Sequence, residues 1–250
     1  MPTTAAPLAL ITGGGTGLGR AMALRLGEAG FAIALTYRHS VADALNTVAT
    51  LEGLGVPAAA FATDLALPEE PDRLLGEVTE RFGRVDVLVN NAAETEVIPF
   101  HDLASLTAAT WDRILETDLR APFLCARAAA PWLRDAGGVI VNISSTAGLA
   151  PRGSSIAYSV AKSALVHLTE CLAVAFEPDV RVVAVAPGAM PTRWPSPTSA
   201  VAEADGAADA DGMLRSVADL VLVAIQNRAL NGSVLVADRG LLVGASGSAG

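Results

Sequence analysis

Tyr158 and Lys162 stand four residues apart in the stretch Tyr158-Ser159-Val160-Ala161-Lys162, downstream of Ser144 and Ser145. In a helix that spacing puts a phenol and an ammonium on one face. An ammonium beside a phenol favours the phenolate, so the Tyr158 pKa is expected to fall towards neutrality. Tyr158 is then a candidate general acid or base. Ser145 follows Val139-Ile140-Val141-Asn142-Ile143, an apolar run that reads as a buried strand. A serine at the end of such a strand can hydrogen-bond a carbonyl oxygen while Tyr158 gives it a proton.

A second group of residues has the chemistry of a phosphate cradle. Leu8-Ala9-Leu10-Ile11-Thr12 reads as a strand and runs into Gly13-Gly14-Gly15-Thr16-Gly17-Leu18-Gly19. A helical pattern on Leu18, Met22, Leu26 and Ala29 follows. In that context the glycines let a pyrophosphate approach the backbone, and the helix N-terminus offers unpaired amides and a positive dipole end. The next strand, 31–37, closes with Thr36-Tyr37-Arg38-His39-Ser40. NAD binding calls for an acid there to bond the ribose 2′-OH. Arg38 is placed instead to pair with a 2′-phosphate, and Ser40 to add a hydroxyl. The expected cofactor is therefore NADP(H) in preference to NAD(H). Asp64, ending a strand over 56–62, either touches the adenine or caps a turn.

The elements that must position these groups alternate along the chain. Helices over 41–54 and from Pro68-Glu69-Glu70 to Phe82 separate the strands, and a strand over 85–89 delivers Asn90-Asn91-Ala92-Ala93 to the edge that carries the glycine turn. Four β-α units in a row, with near-continuous apolar strands, predict an α/β fold with a doubly wound parallel sheet and helices on both faces. A long helical region holding Trp111, Leu115, Leu119 and Phe123 is expected to kink or break at Pro122 and Pro131. The helix of Tyr158 extends to about Phe176, a strand over 180–186 leads to Pro187-Gly188, and a helix over 213–228 and a strand over 233–238 close the pattern. No internal repeat or boundary appears, so residues 1–250 read as a single domain with a substrate loop over 189–212. That loop is a lid or a solvated connection, and Trp194 in it faces substrate, core or a neighbouring subunit.

Composition narrows the function classes. The 250 residues are 52% hydrophobic and 17% charged, with a formal net charge of −9. An acidic chain is a poor general partner for nucleic acid or an anionic membrane. Cys125 and Cys171 form no disulfide framework and read as two small core residues. His39, His101 and His167 lack ligand spacing, so no metal is expected. The N-terminus has no basic, apolar leader, and no apolar run approaches the roughly 18 residues that span a bilayer. A soluble, cytoplasmic protein is expected.

Taken together, Thr12-Gly13, Gly17 and Gly19, Asp64-Leu65, Asn90-Asn91-Ala92-Ala93, Ser145, Tyr158 with Lys162, Pro187-Gly188 with Thr192, and Asp238-Arg239-Gly240 resemble the short-chain dehydrogenase/reductase family over nearly the whole chain. Tyr37-Arg38-His39-Ser40 resembles its pteridine reductase and 3-oxoacyl-carrier-protein reductase branches. The resemblance implies a Rossmann-type sheet of about seven strands. It implies cofactor contacts from Gly13, Thr16, Gly17, Leu18 and Gly19, from Tyr37, Arg38, Ser40, Asp64 and Leu65, and from Asn91 and Ala92. Tyr158 would be proton donor or acceptor, and Lys162 would lower its pKa and hold the nicotinamide ribose. Ser145 would steady the substrate oxygen, while Pro187, Gly188 and Thr192 would meet the carboxamide. A homotetramer or dimer through the helices around 110–135 and 155–176 is implied too.

Three positions depart from the family pattern. Asp118 stands where an Asn usually places its main-chain carbonyl in a proton relay, and it joins Ser145, Tyr158 and Lys162 as a catalytic candidate. Ala93 replaces a glycine. Arg239 interrupts the final Asp-Gly-Gly-like motif, where it would alter packing at an oligomer contact. The expected function is hydride transfer between NADP(H) and a small carbonyl, alcohol or imine. Asp118 and Arg239 also motivate a catalytically impaired, nucleotide-binding relative. A cofactor-independent lyase such as a halohydrin dehalogenase is disfavoured, because those enzymes replace the lysine by Arg and lose the glycine turn.

Overall fold

The computed structural model describes residues 6–190, 192 and 210–244. Strand β1 (Leu8–Ile11), helix α1 (Gly17–Glu28), β2 (Ala32–Tyr37), α2 (Val41–Gly53), β3 (Ala58–Ala62), α3 (Glu70–Phe82) and β4 (Val87–Asn90) form the first half. Helix α4 (Ala108–Leu115) passes through a π-helical turn, Glu116–Arg120, into α5 (Ala121–Ala136). Then come β5 (Val139–Ile143), a 3-10 turn (Thr146–Gly148), α6 (Ile156–Phe176), β6 (Arg181–Pro187), α7 (Ala210–Gln226), β7 (Val234–Ala237) and the short α8 (Leu241–Gly244).

The strands form one parallel sheet in the order β3-β2-β1-β4-β5-β6-β7. Alternation along the strands sorts side chains between two cores. Ala9, Ile11, Val89 and Val141 face α1 and α7, while Leu8, Leu10, Leu88 and Ile140 face α3, α5 and the end of α6. Strand order reverses between β1 and β4, and the crevice at that switch point is where open α/β sheets bind ligands.

Several expectations are corrected. Pro131 does not break α5, which continues to Ala136. Pro131 and Arg127, whose carbonyl loses its i+4 partner, are both exposed, so water can satisfy that carbonyl. The π-helical turn Glu116–Arg120 stands just before Pro122, which falls in the first turn of α5. Helix α3 starts at Glu70 and not at Pro68, with Pro71 tolerated in its first turn. Cys171 is exposed; only Cys125 is a core thiol, with burial foremost pushing its pKa up to about 12. Helix α6 has the length and mean hydropathy, 1.3, to cross a bilayer, although no unbroken apolar run suggests it. It packs against β6 and α4 and buries Ala157, Ala161, Lys162, Leu165 and Thr169. Most of the expected substrate loop, with Trp194, lies outside the described residues.

Candidate active site

The glycine turn is locked from two neighbouring strands. Thr12 Oγ1 accepts hydrogen bonds from the amides of Asn91 (2.9 Å) and Ala92 (3.0 Å). Asn91 Nδ2 donates to the carbonyls of Thr12 (2.9 Å) and Gly13 (3.2 Å), and the Gly13 amide donates to Thr36 Oγ1 at 3.0 Å. Gly17 takes φ +49°, and a Cβ on Gly19 would lie 2.1 Å from the Gly13 carbonyl oxygen. Only glycine permits that approach. Thr16 caps α1 without engaging its hydroxyl in a cap bond, and no acid sits in the first turn. The amides and dipole of α1 are thereby left for an anion.

A cleft of about 970 Å³ runs over this turn along the C-terminal edge of the sheet. Gly13, Thr16, Gly17, Leu18 and Gly19 line it, as do Tyr37, Arg38, Ser40, Asp64 and Leu65. Asn91, Ala92, Ser145, Tyr158, Lys162, Pro187, Gly188 and Thr192 also line it. Asp118 does not reach the cleft; it lies behind Lys162. Thr63 and Thr117, 6% and 7% exposed, belong to the cleft wall, and their buried hydroxyls have no hydrogen-bond partner. The volume, the glycine cradle and the open N-terminus of α1 fit an extended, polyanionic dinucleotide.

At the end of the cleft near β2, Arg38 is already engaged. Its Nη2 donates to Glu94 Oε2 at 2.8 Å, and Nη1 lies 3.8 Å from Asp64 Oδ1. Asp64 caps a turn, accepting the Ala66 amide at 3.2 Å, while its side chain stays on the cleft.

At the other end, hydrogen bonds tie the end of β5 to α6. Ser144 Oγ donates to the Lys162 carbonyl at 2.9 Å, and Ser159 Oγ to the Ala147 carbonyl at 2.8 Å. A Cβ on Gly148 would come within 2.6 Å of the Lys162 backbone, so the 3-10 turn can press on α6 only with glycine there. Ser155 caps α6 by accepting the Tyr158 amide at 3.3 Å. The Ser145 hydroxyl, which accepts the Ala147 amide at 3.1 Å, is thereby brought to hydrogen-bond the Tyr158 phenol.

Lys162 is 3% exposed and Asp118 0%, with Nζ and Oδ2 3.2 Å apart. Nζ donates to the Ile143 carbonyl at 3.2 Å and lies 5.6 Å from the centre of the Tyr158 ring. Asp118 Oδ1 accepts the Glu94 amide at 2.6 Å. Burial pushes the Asp118 carboxyl up in spite of Lys162. Burial on its own would depress Lys162, but Asp118 and Tyr158 outweigh it and hold the ammonium above the ordinary lysine value.

The expected drop in the Tyr158 pKa is overturned. Burial raises it, Lys162 opposes the rise, and the Asp118 charge adds to it. The ammonium does stand where the i,i+4 spacing puts it, but the cost of burying a phenolate outweighs its pull, and the Asp118 charge opposes it further.

Residue types alone gave no signal for Glu94, Thr63, Thr117 or Gly148, because their partners come from distant elements. Arg239 also lines the cleft, and its φ of +54° is a conformation that favours glycine.

Residues 7–200 match the short chain dehydrogenase family. Among curated proteins, a granaticin polyketide synthase putative ketoacyl reductase 2 from Streptomyces violaceoruber is 40% identical over 191 residues, 76% of this chain and 75% of that protein. Among solved structures, a putative short-chain dehydrogenase/reductase from Burkholderia xenovorans superposes with TM-score 0.86 at 29% identity, covering 97% of this chain and 100% of the other. A short-chain dehydrogenase from Burkholderia cenocepacia in complex with NADP gives TM-score 0.82 at 32% identity, covering 94% and 97%.

Proposed function

This chain belongs to the short-chain dehydrogenase family, a family of NAD(P)-dependent oxidoreductases, and on that premise we propose that it is an NADP(H)-dependent carbonyl reductase. The contact of Ser145 with Tyr158 over Lys162, on the wall of a glycine-cradled cleft, carries this reading. The bound dinucleotide would supply the hydride. Gly13 to Gly19 and the start of α1 hold its pyrophosphate, while Pro187, Gly188 and Thr192 face its nicotinamide end. The Ser145 hydroxyl fixes the substrate oxygen, and the Tyr158 hydroxyl delivers its proton to that oxygen as negative charge builds there. Lys162 offsets the charge left on the phenolate.

With an ordinary value of about 10, the Tyr158 phenol carries its proton at neutral pH, the state a donor to a carbonyl oxygen needs. The ketoacyl reductase among the relatives supports a carbonyl substrate. Apolar side chains exposed on α5 and α6, among them Phe123, Val160 and Val174, support association between copies.

Initial rates with NADPH and NADH over a panel of ketones and β-ketoacyl thioesters test the reading. Turnover favouring NADPH is expected. Equal or better use of NADH overturns the cofactor assignment, and no turnover with cofactor demonstrably bound overturns the activity. The latter outcome would favour the impaired relative, whose support is the Asp118 charge beside Lys162. Arg38→Gln is expected to raise the KM for NADPH about tenfold, the weight of one partly exposed charge-assisted contact, and to leave NADH within about twofold.

The Asp118 charge makes a further prediction about pH. Alcohol oxidation needs the Tyr158 phenolate, so its rate should climb only on the alkaline side. Asp118→Asn removes a charge that raises the Tyr158 pKa. Its kcat/KM profile for oxidation should therefore rise at lower pH than that of the wild type; an unmoved profile would show that Asp118 does not act on the phenol.

A further inference from the structure

We infer that Glu94 is a specificity-determining residue that competes with the cofactor's 2′-phosphate for Arg38, an assignment that rests on the reading of Arg38 given above. Glu94 follows β4 on the cleft and is held from three sides. Its amide donates to Asp118 Oδ1 at 2.6 Å. Its Oε2 accepts from Arg38 Nη2 at 2.8 Å, and its Oε1 pairs with Arg113 Nη1. Arg113 is in turn anchored by Glu96 at 2.7 Å. The Glu94 side chain is 14% exposed and that of Arg38 36%, so the carboxylate is the more deeply set partner.

Arg38 thus already serves one carboxylate at hydrogen-bond distance and a second, Asp64, at 3.8 Å. A 2′-phosphate brings about two further negative charges to the same guanidinium and must share or displace Glu94. A ribose 2′-hydroxyl meets no such penalty, because it can donate to a carboxylate. Specificity built by like-charge repulsion of one ligand and not the other is a recognised design. Glu94 therefore holds the preference for the phosphorylated cofactor below what Arg38 alone would confer.

Calorimetric binding of adenosine 2′,5′-bisphosphate and of adenosine 5′-monophosphate to the full chain tests this at the adenosine end alone, without turnover. Glu94→Gln is expected to tighten the bisphosphate about tenfold and to leave the monophosphate within about twofold. Glu94→Ser, also uncharged, is read the same way should the first variant fold poorly. Glu96→Gln, which touches Arg113 but not Arg38, should alter neither ligand. Equal tightening of both ligands, or an unchanged ratio in both Glu94 variants, overturns the proposal. Arg38→Gln in the same assay separates the two readings. If it leaves bisphosphate binding unchanged, the 2′-phosphate role of Arg38 fails. If it weakens that binding while the Glu94 variants change nothing, only the role of Glu94 fails.

Discussion

Tyr158→Phe is expected to lower turnover by about 10²–10⁴-fold, the weight of a general acid placed on the reacting oxygen. The substitution removes one oxygen and keeps the ring that packs beside Ile114, Ala157 and Ala161. Structure and dinucleotide affinity should therefore persist, with Kd within about twofold of wild type. Single-turnover rates with saturating NADPH, beside calorimetric binding of the same nucleotide, separate the two effects. Turnover within about tenfold of wild type would mean that another group moves the proton, because water alone seldom replaces a positioned acid so well. Ser145→Ala is the natural companion. It removes a donor that touches both the phenol and the substrate position, so its effect should fall in the same direction.

Lys162→Met should be costly for folding, by about 3–5 kcal/mol, because it leaves a buried carboxylate without its counter-ion. Asp118 is 0% exposed and would keep only the Glu94 amide as partner. Adding Asp118→Asn should recover most of that loss, since a neutral amide needs no ammonium. Urea unfolding of the two single variants and the double variant closes the cycle. If Lys162→Met destabilised the protein equally with and without Asp118→Asn, the coupling would be refuted. The sign with pH is also fixed. The folded Asp118 carboxyl titrates above its ordinary 3.8, and losing Lys162 raises it further. The folded state then takes up a proton before the unfolded chain does, so the deficit of Lys162→Met should shrink as pH falls from that raised value towards 3.8.

Much of the frame was legible because a parallel sheet covered on both faces needs strands that are apolar throughout. Leu8 to Ile11, Val87 to Val89 and Val139 to Ile143 announce themselves that way. The cradle was legible too, since strand, glycines and helix are contiguous. So was the common face of Tyr158 and Lys162, a matter of helical pitch. What escaped the sequence is what depends on non-local neighbours. The direction of the Tyr158 pKa turns first on the burial of the phenol itself, which outweighs Lys162, and then on the Asp118 charge, which comes from another element. Arg38 looked like a free cation because Glu94 lies 56 residues away. Pro131 reads as a breaker until the exposure of its face is known. Arg239 looked remote from the chemistry because nothing local reveals that β7 ends at the cleft.

The helix that carries the glycine cradle is braced by the last long helix among the described residues. Helix α7 packs along α1, Arg25 pairs with Asp219 across a sequence separation of 194 residues, and Arg215 reaches Glu28 at 2.7 Å. A ribosome therefore releases the nucleotide-gripping turn long before its brace. Until α7 emerges, one side of α1 is bare and the turn above it is unsupported. Capture of cofactor should thus await the emergence of α7, and a nascent chain stalled before residue 210 should be found by chaperones without nucleotide aboard.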